Sequence, residues 1–529
     1  MPLNFRNTLI ATSVALSAAF VGCSPDLNVA PTSTVTSANV FTDTSSYRSF
    51  VAKLYAGLAV SGQQGPAGNG DIQGIDEGFS QYLRLYWEMQ ELPTDEAVIA
   101  WNDAGSQELN TQEWSSSNQF LGAMYSRVFY QVSLANEFLR QTDDATLATR
   151  NVSPALKTTI QQYRAEARFL RALSYYHGLD LFGNIPLVKE TDPIGSTPPK
   201  QATRAAIFAY IESELKALRP GLPPAGQAQY GRADQAAADM LLAHLYLNAM
   251  VYVNTDRSTD ALNAAQSVIS SGAYSLDPNY RRMFDADNNT SPEMIFAVPQ
   301  DGVHMQSYGG TTFLVHASVG GNMNASDEGV DFGWWGLRAR PTLVNLFPGV
   351  PASPDKRAAV FFTNGQNLNI SSLTNFNDGY GVNKYQNVTS TGTAGQRKDF
   401  IDTDYPVFRL SDAYLIYAEA VLRGGGGSRA QALNYVNLIR TRAYGNASGN
   451  ITDPQLTLQF VLDERGRELF WEAQRRSDLI RYKTFTDAGI WQWKGNVQPG
   501  KTTEAFRNLY PLPASELLAN PNLKQNTGY

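Results

Sequence analysis

The stretch YRAEARFLRALSYYHGLDLFGNIPLV (Tyr163–Val188) predicts the most regular helix of this 529-residue chain. Its residues form two apolar stripes and one arginine stripe at helical spacing: Ala165, Phe169, Ala172 and Tyr176; Tyr163, Ala167, Leu170 and Leu173; Arg164, Arg168 and Arg171. A helix with two apolar faces packs against neighbours on both sides. Gly183 is expected to end it, and the following IPLV to be extended. The stretch therefore predicts a helix inside a stack of helices.

Two other parts of the chain repeat a pattern of paired helices. Helical patterns at 236–250 and 409–422 are each followed by a second one, ALNAAQSVI (Ala261–Ile269) and ALNYVNLIR (Ala432–Arg440). The second helices share apolar residues at the same relative positions: Ala261, Leu262, Ala265 and Val268; Ala432, Leu433, Val436 and Ile439. Such pairs resemble tetratricopeptide units, which bury their apolar faces against neighbouring units. We therefore predict a mainly α fold, a scaffold of helix pairs with few short strands.

The helical period largely disappears between about Ser291 and Asp404. This region is rich in glycine, asparagine, serine, threonine and aromatic residues, and the segment Ser61–Gly78 is similarly rich in glycine. Loops of this length are usually functional or disordered, and the many aromatic residues argue against disorder. We predict one domain, residues 41–529, with a large irregular ligand-binding region at about 291–404.

The amino-terminal segment has the features of an export signal. Arg6 precedes a short apolar run, Leu9–Phe20, which is too short to span a bilayer, and Gly22 precedes Cys23, the one cysteine of the chain. Gly-Cys at this place is similar to a bacterial lipobox, in which the thiol is acylated and the chain is cut before the cysteine. We predict a signal peptide at 1–22, a lipid on Cys23 and a flexible tether at 23–40. A free thiol in an ordinary signal peptide is the alternative.

Composition excludes several classes of function. The net charge is -7 and there is no basic run of the kind that binds phosphates, so we expect no nucleic-acid partner. Hydrophobic residues make up 43% of the chain, enough to bury a large core without disulfides. The four histidines are scattered without metal-ligand spacing: His177, His244, His304 and His316. We predict no metal and no cofactor.

Several motifs, taken together, carry a family resemblance. Besides Tyr163–Val188 they are ELPTDEAVIAW (Glu91–Trp101), FRLSDAYLIYAEAVLRGGGGSRAQALNYVNLIRTRA (Phe408–Ala443), VLDERGRELFWEAQRRSDLIRYKTF (Val461–Phe485) and LYPLPASELLANPNLKQNTGY (Leu509–Tyr529). With the lipobox, these stretches resemble the SusD/RagB family, the nutrient-binding outer-membrane lipoproteins of Bacteroidota. The resemblance extends over essentially the whole chain.

The resemblance implies a fold, a location and a partner. Family members have four tetratricopeptide-like helix pairs and an inserted loop region that carries the ligand site. They lie at the cell surface on a lipid anchor, here Cys23, and cap a SusC-like TonB-dependent transporter of the outer membrane, to which they deliver oligosaccharides or other nutrients. They are binders without known catalysis. We therefore expect a glycan ligand, with a non-glycan nutrient such as a peptide as the alternative.

Candidate ligand residues are aromatic, because sugar rings stack their C–H groups on flat apolar faces. The candidates lie in loops: Trp101 with Asn102, the glycine-flanked pair Trp334 and Trp335, and Tyr308 and Tyr380. Family members often place a ligand-contacting aromatic residue where Trp101 stands. Alternatively, each ring only packs its loop onto the scaffold. Three further tryptophans are expected in the core: Trp87, Trp114 and Trp471.

A catalytic function has weaker support. A glycosidase needs two carboxylates across a cleft, and loop candidates are Asp95, Glu96, Asp327, Glu328 and Asp331. Glu464, Glu468 and Glu472 share a predicted helix face, but their spacing predicts salt bridges to neighbouring arginines: Arg465, Arg467, Arg475 and Arg476. We expect no enzymatic activity. A scaffold that binds only protein would explain the helices but not the long aromatic loops.

Overall fold

The computed structural model describes residues 41, 44–68, 70–195 and 197–529. The α-helices, numbered in chain order, are α1 Thr44–Ala59, α2 Tyr82–Glu91, α3 Ala104–Thr111, α4 Gln119–Gln141, α5 Asp144–Thr149, α6 Pro154–Phe182, α7 Arg204–Leu218, α8 Gln235–Leu247, α9 Ala249–Val253, α10 Ser258–Ser270, α11 Gly310–Ser318, α12 Pro341–Asn345, α13 Leu410–Leu422, α14 Arg429–Tyr444, α15 Leu458–Leu469, α16 Arg475–Arg481 and α17 Ala514–Ala519. The chain divides into two units, Met1–Tyr47 and Arg48–Tyr529. The second unit carries the features described below.

Helix α6 contains the stretch that predicted the fold, and all eight residues of its two apolar stripes are buried. It begins at Pro154, earlier than predicted, because Ser153 caps it and the proline occupies its first turn. Gly183 ends it with a φ of 74°. The arginine stripe also makes contacts, since Arg171 forms ion pairs with Glu190 and Glu214. Helix α6 therefore has neighbours on three sides.

The helices stack in sequence order. Helix α6 packs between α4 and α7, and α10 packs between α8 and α13, which in turn contacts α14. The two predicted pairs are confirmed as α8 with α10 and α13 with α14. Seven of the eight apolar positions in the second helices are buried, whereas Leu433 is half-buried and the neighbouring Tyr435 is buried. The mainly α architecture with few short strands is as predicted.

The strands are short and pair antiparallel: β1 Ala97–Ile99 with β5 Leu337–Ala339, β2 Ile185–Pro186 with β3 Gln201–Ala202, β4 Met294–Val298 with β8 Tyr405–Arg409, and β6 Phe361–Phe362 with β7 Gly381–Val382. In the first pair, Ile99 lies opposite Leu337. This register brings the residues that follow β1 beside those that precede β5. Between about 291 and 404 the chain is otherwise mostly irregular, apart from α11 and α12.

Two arginines fasten β5 to the loops around it. Arg338 donates to the backbone carbonyls of Asp378, Gly336 and Leu373, and Arg340 to those of Ala97, Leu92, Asn110 and Gln492. Neither guanidinium is exposed, and burial lowers the pKa of each to about 9. Carbonyl oxygens rather than carboxylates satisfy these buried donors, so each arginine joins several loop segments at once.

The glutamates of the ERGRELFWEAQRR passage do form salt bridges, but mostly not to the neighbours that their spacing suggested. Helix α15 ends at Leu469, and Trp471 and Ala473 have positive φ, so Glu472 is not on the same helix. Glu464 pairs with Arg467 as predicted. The remaining partners come from elsewhere in the chain: Arg357 and Arg440 for Glu464; Arg357, Arg409 and Arg442 for Glu468; Lys384 and Arg409 for Glu472. The predicted partners Arg465 and Arg476 pair instead with aspartates, and Arg475 pairs with Asp95 and Glu96.

The predicted signal peptide, Cys23 and the tether lie outside the described residues. In the part of the chain that is described, none of the helices has both the length and the apolar character needed to cross a membrane.

Candidate ligand-binding site

Three aromatic side chains from distant segments meet at one place, which we call the aromatic platform: Trp101, Tyr308 and Trp334. The ring centroids of Trp101 and Trp334 are 6.4 Å apart, and those of Tyr308 and Trp334 are 6.2 Å apart. The indole Nε1 of Trp101 donates a 2.8 Å hydrogen bond to the Trp334 carbonyl. Both tryptophans are half-buried, and Tyr308 is 36% exposed. The platform is thus fixed by its own contacts and still reaches the surface.

Two buried rings of helix α11 support the platform from below. His316 stacks on Trp334 with centroids 4.7 Å apart and planes 16° apart, and Phe313 meets Trp101 edge to face at 5.8 Å. The Nδ1 of His316 lies 2.9 Å from the Phe332 carbonyl, which can only accept, so this nitrogen carries the proton of the neutral ring. Burial lowers the pKa of His316 below its ordinary value. A neutral imidazole therefore stacks under Trp334 at neutral pH.

Arg84 of helix α2 is a site residue that the sequence analysis missed. Its guanidinium carbon lies 4.4 Å from the Phe313 ring centroid and 5.4 Å from that of Trp101. It donates to the carbonyls of Gly78 and Tyr308 and to the Glu88 carboxylate. Burial raises the pKa of Glu88 to about 7, although Arg84 favours its charged form. The i, i+4 spacing of Arg84 and Glu88 in the sequence predicts an ion pair between them. It does not predict that this pair lies beside Trp101 of the platform.

The other predicted ligand residues do not join the platform. Asn102 follows Trp101 and is exposed, and Trp335 is 52% exposed with its ring against Phe376 at 5.7 Å. Tyr380 is half-buried, and within the described residues its ring makes none of the contacts that join the platform. Phe332, which the sequence analysis did not select, is 56% exposed and its ring lies 5.6 Å from His316. Asn102, Trp335 and Tyr380 lie in irregular loops, as predicted, and so does Phe332.

The three tryptophans predicted to be in the core are confirmed there. Trp87, Trp114 and Trp471 are 1%, 3% and 1% exposed, and the rings of Trp87 and Trp471 meet edge to face at 5.4 Å. The loop tryptophans of the platform are distinct from this core group because each is only half-buried.

Three of the five candidate acids are buried, and two are exposed. Asp95 and Glu96 are buried, and Arg475 pairs with both. Glu328 is buried and accepts a hydrogen bond from Asn383, whereas Asp327 and Asp331 are exposed. Among the described residues there is also no group of three or more His, Cys, Asp or Glu side chains placed to hold a metal ion.

Sequence comparison assigns the chain to a family. A curated relative, the starch-binding protein SusD of Bacteroides thetaiotaomicron, is 34% identical over 99% of this chain and 98% of its own length. The chain belongs to the SusD family. The SusD family model matches residues 353–529, and a second family model, described as starch-binding and associating with the outer membrane, matches residues 81–247. The family predicted from the motifs is therefore confirmed.

Solved structures show the same fold. A SusD superfamily protein from Parabacteroides distasonis superposes with a TM-score of 0.72 over 94% of this chain and 100% of its own, at 22% identity. The surface glycan-binding protein A of Bacteroides thetaiotaomicron, solved in complex with laminarihexaose, superposes with a TM-score of 0.69 over 91% of this chain and 98% of its own, at 20% identity. At these identities the likeness establishes the SusD fold of this chain.

Proposed function

We propose that the protein binds an oligosaccharide or polysaccharide on the aromatic platform and delivers it for import. The observation that carries the proposal is the convergence of Trp101, Tyr308 and Trp334 into one partly exposed set of rings held by a hydrogen bond and a stacked imidazole. Pyranose rings present apolar C–H faces that stack on such surfaces. A rigid platform binds without first ordering its own side chains, which lowers the entropic cost of binding.

The platform suits a neutral glycan because its rings are uncharged. The Arg84 guanidinium, 5.4 Å from the Trp101 ring centroid, is already paired with Glu88 at 3.0 Å. Because Asn102 is exposed next to Trp101, we assign it the role of hydrogen-bonding the sugar hydroxyls. The named relatives bind starch and laminarihexaose, which are both neutral glucans. Neutral glucans are accordingly the first ligands to test, and a peptide nutrient is the alternative.

We assign the protein to the outer surface of the outer membrane. The signal at 1–22, the lipid on Cys23 and the tether at 23–40 would hold residues 41–529 at the membrane. The family model is described as associating with the outer membrane, and the family resemblance implies a SusC-like TonB-dependent transporter as the partner. A shared membrane raises the effective concentration of the binder at the transporter, so that moderate affinity is enough and release stays fast.

We assign no catalytic step to the site. Of the candidate acids, Asp95, Glu96 and Glu328 are buried, and Asp95 and Glu96 are paired with Arg475. A ligand held by ring stacking and hydrogen bonds can leave unchanged, as delivery to a transporter requires.

Titration calorimetry tests this function. The chain from Ser24 onward would be titrated with maltoheptaose, laminarihexaose, uncharged plant oligosaccharides and short peptides, and the recovered ligand analysed by chromatography. We expect saturable binding of a neutral glycan and recovery of the glycan intact. Saturable binding of peptides with no response to any glycan would refute the glycan assignment. Cleaved glycan after titration would instead establish catalysis.

A further inference from the structure

A pocket lies where the carboxy-terminal segment passes the start of helix α7. It has a volume of about 720 Å³ and shares no lining residue with the aromatic platform. Its walls come from the turn after α6, the first turn of α7 and the segments 505–509 and 524–527. Such a volume accommodates a small ligand.

The charged side chains that line this carboxy-terminal pocket are all basic. Arg204 and Lys524 line it, and its lining contains no aspartate or glutamate. Asn184, Asn508 and Thr527 add amide and hydroxyl groups, and Phe506 adds a half-exposed ring. On a chain with a net charge of -7, a pocket with two cations and no lining acid is a local reversal of the overall charge.

The Arg204 guanidinium makes no ion pair or hydrogen bond with a carboxylate of the described residues. One of its terminal nitrogens donates to the Val251 carbonyl at 3.2 Å, its guanidinium lies 4.7 Å from the Tyr252 ring centroid, and its Nε is buried without a hydrogen-bond partner. Asp180, a carboxylate whose field reaches Arg204, already accepts hydrogen bonds from Arg476 and Tyr252 at 2.8 Å each. Burial lowers the pKa of Arg204. A bound anion would supply the missing counter-charge.

The wall that carries Lys524 is fixed in place. The Gln201 side chain exchanges two hydrogen bonds with the Lys524 backbone, both at 3.0 Å. Asn526 donates to the carbonyls of Phe182 and Tyr510 at 2.9 and 2.7 Å. The backbone of this wall is therefore held before any ligand arrives, which lowers the entropic cost of binding.

We propose that the carboxy-terminal pocket binds a small polyhydroxylated ligand that carries a carboxylate or phosphate group, with Arg204 and Lys524 as the anion ligands. Arginine and lysine bind oxyanions through charge-assisted hydrogen bonds. The amides of Asn184 and Asn508 and the hydroxyl of Thr527 suit the hydroxyl groups of such a ligand. An acidic sugar and a sugar phosphate share this chemistry. The site is separate from the platform and independent of the function proposed for it.

The test is a titration monitored by ligand-observed NMR. The four probes are glucuronate, glucose 6-phosphate, inorganic phosphate and glucose. We expect saturable binding of glucuronate or glucose 6-phosphate, with the better of the two identifying the anion, and weaker binding of glucose and inorganic phosphate. Arg204→Met and Lys524→Met are each expected to weaken this binding about tenfold or more, since each removes a charge-assisted hydrogen bond. Trp101→Ala is the control and should leave it unchanged.

Three results would overturn the proposal. They are no saturable binding of either anionic sugar up to about 10 mM, equal binding of glucose and glucuronate, and full affinity for the anionic probe in Lys524→Met. Lys524 is exposed, so this variant keeps the fold even if Arg204→Met destabilises it. If Arg204 serves only to hold the end of helix α9 through Val251, its replacement lowers thermal stability and the anionic probes do not bind the wild type.

Discussion

Replacing Trp101 with alanine is expected to weaken glycan binding about thirtyfold. A sugar ring on one indole face covers roughly 80 Å² of apolar surface, which at about 25 cal/mol per Å² amounts to about 2 kcal/mol. This free energy corresponds to a factor of about 30 in Kd. The change also removes the Nε1 hydrogen bond to the Trp334 carbonyl, so the remaining ring is held less firmly. Calorimetric titration with the best glycan of the panel measures the effect.

Trp493→Ala is a matched control for this change. Trp493 is also half-buried, and its Nε1 also donates a 2.8 Å hydrogen bond to a backbone carbonyl, that of Ile370, but its ring is not part of the platform. Both replacements should lower the free energy of unfolding by about 2 kcal/mol. Only Trp101→Ala should change Kd. Equal Kd values for wild type and a folded Trp101→Ala variant would refute the placement of the site, and an equal loss in both variants would point to a general effect on the fold.

Three further predictions address the support of the platform, the anchor and the core. Arg84→Met should lower the free energy of unfolding by about 3 kcal/mol because it leaves Glu88 buried without its ion pair. The double variant Arg84→Met with Glu88→Met should regain stability in chemical unfolding but not glycan affinity. Full glycan affinity in the double variant would show that Arg84 does not position the rings. Cys23→Ala should move the protein from the membrane fraction to the soluble fraction with an unchanged melting temperature, and a variant that is still acylated and membrane-bound would contradict the anchor. Burial lowers the pKa of His177 to about 3, so below about pH 6.5 the unfolded chain binds a proton that the folded chain does not. Because of this residue, the free energy of unfolding should fall by about 1.4 kcal/mol per pH unit between about pH 6 and 4. In urea unfolding, His177→Gln should reduce the dependence of the unfolding free energy on pH by that amount, and an unchanged dependence would refute the assignment.

The helices could be predicted because their signals are local. The stripes of α6 and the repeated pattern of α10 and α14 follow from residues three or four positions apart. The start of α6 was missed because Leu156 and Ile160 alone extend the Tyr163 stripe toward Pro154, and the residues around them are exposed or half-buried. The partners of Glu468 were missed because they are distant in sequence. They come from other segments, such as Arg357 and Arg409, whereas sequence spacing reveals only partners on the same helix.

The residue types of the platform could be predicted from the sequence, but which of these residues lie together in space could not. Trp101 and Trp334 are 233 positions apart, and it is the β1–β5 register that brings them together. Each of these strands is three residues long, too short for a sequence pattern to reveal its pairing. The adjacent tryptophans 334 and 335 could not be told apart in sequence. In the structure, Trp334 joins the platform and Trp335, with a φ of 54°, contacts Phe376 instead.

The decisive experiment for the platform is a crystal structure of the protein soaked with the best-binding neutral oligosaccharide. We expect sugar rings stacked on Trp101 and Trp334, with Tyr308 at the side and Asn102 within hydrogen-bonding distance of a hydroxyl group. An oligosaccharide bound at full occupancy elsewhere on the chain, with the platform free of ligand, would contradict this expectation.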